Sequence, residues 1–322
     1  MKIKIIDSGF QDFFSICQKG KIEIKDIEEL INNDSYNRVI ELMGNNWGIG
    51  SHKEWKELFQ CALCYDHIDN LSSIQSLYVN HIKKAKNSLT KLLEFNNRIK
   101  SILESKRFFE IVNQYSYLDD LDTITIHLLI FGPNAGGNKE LTLDLLFLES
   151  FSDEEISKII AHELHHMIRS KYEVIYNSEY QEINQMLFWL ESEGCANLCN
   201  YETTQKIYEI YGYVEKESMN KNLENIKEHI HNLSNLIIKV YENTSVPNEL
   251  YTYLANNLLF HTLGYYMAQT IYQFSNTSLK ETVGNPLLFI NKYQEICTKE
   301  NIGHSFSDDA IKVVNKVLSQ IH

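Results

Sequence analysis

His162, Glu163 and His166 stand in the run "AHELHH", inside a segment of helical pattern. An α-helix turns about 100° per residue, so His162 and His166 leave the same face one turn apart. Their imidazole nitrogens can converge on one ion at roughly 2.0–2.1 Å, the distance zinc takes with histidine. Glu163 is rotated about 100° from His162, so it borders the ion without binding it. A carboxylate there can take a proton from a water at the metal. His165 falls off the ligand face. A bland alternative is a solvated polar helix face. Ile159, Ile160, Leu164 and Met167 argue against it, because they make the segment mostly buried, where unpaired polar groups are costly.

A tetrahedral zinc with an open position needs one more protein ligand. Downstream, "LESEGCANL" offers Glu191 and Glu193 in an amphipathic helix, and either could reach back. Two features favour Glu193. Gly194 beside it removes a side chain where two helices would approach closely, and a glycine inside a helix costs roughly 1 kcal/mol, so a packing reason is expected. Asn197 lies one turn on, on the same face, and can hydrogen-bond a ligand histidine or the ligand carboxylate. One zinc per chain is the expected cofactor.

These residues need elements to hold them. "TITIHLLIFG" (Thr123 to Gly132) and "ELTLDLLFLE" (Glu140 to Glu149) alternate and read as two antiparallel strands. Ser152 followed by Glu155 is a capping-box signature, and Asp153, Glu154 and Glu155 suit the positive end of a helix dipole. A helix should therefore run from about Asp153 to Arg169. Further helices are expected over Gln181 to about Thr203, Gln205 to Glu242, Asn248 to Phe274, Pro286 to Cys297 and Asp308 to Gln320. The first 120 or so residues carry apolar positions at three- and four-residue spacing and read as helical. The fold class is mainly α with a small antiparallel β-sheet (α+β), organised as a helical region 1–120 and a catalytic region 121–322.

The joint pattern of strands, "AHELHH" and "EGCA" resembles the gluzincin clan of zinc metallopeptidases. Within it, the pattern is similar to a group of bacterial zinc-dependent peptidases with H-E-x-H-H…E-G-x-A. The resemblance runs from about Ile124 to Tyr201 and more thinly to Tyr272. It implies a zincin-like core, His162, His166 and Glu193 as zinc ligands, and Glu163 as general base. It also implies an edge strand that holds the substrate backbone, for which either predicted strand is a candidate. For the oxyanion it implies a Tyr or His donor on a later helix. "FHTLGYYMAQTIY" supplies His261 first, then Tyr265, then Tyr266. Many gluzincins carry aspartate four residues after the glutamate ligand. Here the residue is Asn197, which can orient a histidine but adds no charge.

The chain has 322 residues, 43% hydrophobic and 23% charged, enough for a sizeable core. Its net charge of −13 repels phosphate backbones and argues against nucleic acid as a partner. No apolar run reaches the roughly 18 residues of a membrane span, and "MKIKIIDSGFQDFFSIC" lacks a signal-peptide core. The six cysteines then read as reduced thiols and the expected compartment as cytoplasmic. The sequence is silent on oligomeric state. The favoured function is hydrolysis of a peptide or protein substrate at zinc. The alternative is a zinc-containing regulatory or partner-binding helical protein that cleaves one dedicated protein or nothing.

Overall fold

Alternating Ile and Thr from Thr123 onward build the centre of a small sheet, and the chain's first residues complete it. The computed structural model describes residues 2–47, 50–65, 71–115, 123–137, 139–174, 181–242, 247–256 and 258–320. The chain divides into two compact units, one of residues 1–114 with 118–167, the other of 168–322 with 115–117.

In the first unit, β1 (Lys2–Ile6) leads into helices α1 (Ser8–Cys17), α2 (Ile24–Ile31), α3 (Asp34–Trp47), α4 (His52–Leu63), α5 (Ser73–Lys86), α6 (Leu89–Leu103) and α7 (Lys106–Tyr115). The strands β2 (Thr123–Leu129), β3 (Ala135–Gly137) and β4 (Leu141–Asp144) follow, then the short α8 (Leu145–Leu148) and α9 (Asp153–Arg169). The sheet order is β1-β2-β4-β3. β1 and β4 both run parallel to β2, with Ile5 opposite Ile126 and Leu128 opposite Leu143. Only β3 is antiparallel, pairing Ala135 with Leu143.

The sheet is therefore mixed, which corrects the antiparallel expectation. The segment between β2 and β4 is not a tight hairpin turn; it contains a strand of its own, so β4 returns in the direction of β2. β1 lies in a stretch expected to be helical, because five residues with a partner more than a hundred positions away leave no local hairpin signal. "ELTLDLLFLE" stops being a strand at Asp144, whose carboxylate accepts from the Phe147 amide at 2.7 Å and starts α8. Both strands proposed as a substrate-holding edge are interior. The edges are β1 and β3.

Asp144 has no solvent exposure. One carboxylate oxygen accepts from the Phe147 amide and from His81 Nε2 at 2.8 Å; the other accepts from the amides of Phe131 and Gly132 at 2.6 and 3.1 Å. A Cβ on Gly132 would collide with the ring of Tyr78, which shares α5 with His81. One buried carboxylate thus ties α5 and the turn after β2 to the start of α8, and every lone pair it offers is used.

In the second unit, the end of α9 is followed by α10 (Gln181–Ala196), α11 (Tyr201–Ile210), α12 (Ser218–Glu224), α13 (Ile226–Tyr241), α14 (Pro247–Asn256), α15 (Leu259–Phe274), α16 (Asn276–Thr282), α17 (Pro286–Glu300) and α18 (Asp308–Leu318). Asn285 caps α17 with Pro286 in its first turn. Leu259, Leu263, Met267 and Ile271 of α15 lie fully buried in the core of this unit. No helix among the described residues is long and apolar enough to cross a membrane.

Asp144→Ala orphans three amides and a histidine. Each buried group left unsatisfied costs about 1–3 kcal/mol, so urea unfolding should show a loss of about 3 kcal/mol or more. A loss under about 1 kcal/mol would contradict the role given to Asp144.

Candidate metal centre

Helix α9 begins as its sequence directs. The Ser152 amide donates to Glu155 Oε2 at 2.8 Å and the Glu155 amide donates to Ser152 Oγ at 3.3 Å, a reciprocal capping box. The helix ends at Arg169. His162 is buried, His166 is half-buried, and their Nε2 atoms stand 3.1 Å apart. Two ligand atoms of one tetrahedral ion at ~2.0–2.1 Å are separated by roughly 3.3 Å. The two imidazoles are thus spaced as ligands of a single zinc. Glu163 is half-buried beside them, and His165 is buried on the neighbouring arc of the helix.

Glu193 sits near the end of α10. There Gly194 meets Gly264 of α15, and a Cβ on either glycine would fall inside the other helix's backbone. The expected packing reason for Gly194 is this contact. It brings Glu193 Oε2 to 3.4 Å from His261 Nδ1. α15 starts after Leu258, whose left-handed backbone (φ 53°) is a strained conformation for leucine, and His261 follows in the first turn.

His261 is buried, and both its ring nitrogens are engaged. Asn197 Nδ2 lies 3.0 Å from Nδ1, and the Tyr208 hydroxyl lies 2.7 Å from Nε2. Asn197 therefore orients His261, where the sequence suggested a ligand histidine or the ligand carboxylate. Tyr265 is half-buried and stacks on Tyr201 with ring centroids 4.2 Å apart. Tyr266 packs edge-on to Tyr293. Tyr208 was missed from sequence. Its spacing of eleven from Asn197 was the available signal, hidden by the bend between α10 and α11.

Glu191, the other candidate ligand, is fully buried and committed elsewhere. Its Oε2 accepts from Arg169 Nε at 2.6 Å and its Oε1 accepts from the Gly284 amide at 3.3 Å. The Arg169 guanidinium lies over the Phe188 ring at 3.8 Å. Burial lifts the Glu191 carboxyl to about 7 against the opposing pull of Arg169. Burial also pushes the Cys195 thiol well up, as suits a packing residue. None of the six cysteines is in a disulfide.

A serine–histidine–carboxylate series occurs in the first unit. Ser35 Oγ lies 2.9 Å from His127 Nδ1, and His127 Nε2 lies 2.9 Å from Glu140 Oε2. Ser35 is 0% exposed, so no substrate reaches it.

Paired imidazoles on a capped helix offer two of the three protein ligands that a zinc with an open position takes. A family profile described as "Putative zinc dependent peptidase (DUF5700)" matches residues 27–302, and the chain belongs to that family. No curated protein and no solved structure gives a significant match.

Gly264→Ala should cost about 1–3 kcal/mol by overpacking α10 against α15. Gly20→Ala, where an added Cβ meets nothing within 4 Å, is the control. Thermal melts of the two variants compare them. Equal melting temperatures would contradict the close helix approach.

Proposed function

We propose that the chain is a zinc-dependent peptidase of gluzincin type, with His162, His166 and Glu193 as the group that holds one zinc ion and Glu163 as general base. The observation that carries this reading is the 3.1 Å separation of the two Nε2 atoms on α9. Membership of a family described as zinc-dependent peptidases agrees with it. The commitment of Glu191 to Arg169 favours Glu193 as the third ligand.

When bound, zinc would polarise the scissile carbonyl and make a water acidic enough to react near neutral pH. The Glu163 carboxylate takes the proton from that water and delivers it to the leaving amine. Neither step needs Glu163 as a ligand, in keeping with its position off the histidine face. His261 is the first candidate donor to the oxyanion, with Tyr265, whose ring stacks on Tyr201, second and Tyr266, edge-on to Tyr293, third. The substrate is a peptide or protein segment.

Glu163→Gln keeps the size of the side chain and both histidines. It should retain zinc and lose about 10²–10⁴-fold in kcat on a diverse peptide library. A variant as active as the wild type would sink this mechanism.

A further inference from the structure

Helix α10 leaves one large aromatic side chain at the surface beside the candidate ligand it carries. Trp189 stands four residues before Glu193, so the two leave the helix one turn apart and about 40° from each other around its axis. Side chains at this spacing have Cβ atoms roughly 5–6 Å apart. Trp189 is 36% exposed, whereas Trp55 is 0% exposed in the core of the first unit. Gln185, a further turn back, is exposed as well, while Leu187 and Leu190 on the other flank of α10 are fully buried. The indole is also held in place. It meets the Phe188 ring edge-on, with centroids 4.9 Å apart and planes at 84°. The Arg169 guanidinium lies over the same Phe188 ring at 3.8 Å, and Arg169 is itself buried and fixed by the Glu191 carboxylate. The buried ion pair thus fixes Phe188, and Phe188 fixes the indole.

We propose that Trp189 determines specificity: its indole takes an aromatic or long aliphatic side chain of the peptide substrate, one or two residues from the scissile bond. This rests on the peptidase reading and names a substrate class for it. A single exposed apolar residue is ordinary on a protein surface. Trp189 differs in being oriented in advance and in sharing the arc of α10 that carries Glu193. An extended peptide advances about 3.3–3.6 Å per residue, so a step of roughly 5–6 Å from the ligand corresponds to one or two residues of substrate. The indole face gains from covering an apolar side chain, and two aromatic rings add an offset or edge-on contact. Because Phe188 already holds the ring, little rotamer freedom is lost when a substrate arrives. Gln185, the exposed neighbour on this arc, is uncharged, which favours an apolar side chain over a charged one.

The test compares zinc-loaded wild type, Trp189→Ala and Trp189→Phe on a peptide library that varies the residues on both sides of the cleavage site, with zinc content measured in each. The wild type should cut preferentially where Phe, Tyr, Trp, Leu or Met stands at one fixed position within two residues of the bond. Trp189→Ala should lose about tenfold or more in kcat/KM on those peptides, chiefly through KM. On their alanine counterparts it should stay within about twofold of the wild type. Trp189→Phe should keep most of the preference, and zinc content should be the same in all three. An unchanged preference in Trp189→Ala would overturn the subsite, as would an equal fall in kcat on every peptide or a wild-type preference for Lys or Arg at that position. A wild type that cuts without side-chain preference would overturn it and leave the peptidase reading standing. A wild type that holds zinc and cuts nothing would remove that reading, and the subsite with it.

Discussion

Two glycines set the distance on which the packing around Glu193 and His261 depends. Gly194 and Gly264 let α10 and α15 touch backbone to backbone, closer than any side chain permits. Each glycine costs its helix roughly 1 kcal/mol relative to alanine, so the packing gained must exceed that. The consequence is local. Glu193 is the neighbour of Gly194, and His261 lies one turn before Gly264, so the contact puts a carboxylate beside an imidazole. Asn197, just past the end of α10, and Tyr208 from α11 then flank that imidazole, and Thr204 holds the Asn197 oxygen.

Buried charge plays the same positioning role elsewhere. Asp144 collects three amides and His81 where β4 gives way to α8. Glu191 holds Arg169 at the end of α9 and the Gly284 amide before α17. Burying an ion pair returns little net stability, but removing one member leaves an uncompensated charge at a cost of about 3–5 kcal/mol. Such pairs specify one arrangement of the elements they join. That is the property a metal centre assembled from separate helices requires, because its ligands must be held to within a few tenths of an ångström.

The candidate site was legible where its signals were local. The capping box at Ser152 and the histidine spacing gave α9 its bounds, Asp153–Arg169, and the glycine beside Glu193 announced a close helix contact. What could not be read depended on distant partners. β1 pairs with a strand 121 residues on, with Lys2 opposite Thr123. β2 and β4 run parallel because β3 lies between them in the chain. Tyr265 shares a helix face with His261 by spacing, yet its ring is taken by Tyr201 from α11. Tyr208 became visible only once α11 and α15 met.

The central claim is a three-ligand zinc centre made of His162, His166 and Glu193. Zinc per chain, measured by mass spectrometry after reconstitution and exhaustive dialysis of wild type and Glu193→Ala, tests it most directly. The account predicts about one zinc in the wild type and much weaker retention in the variant, since a site reduced to two ligands loses affinity steeply. Equal retention in both would contradict Glu193 as a ligand. No zinc in either would mean that α9 is a helix with histidines and no metal centre.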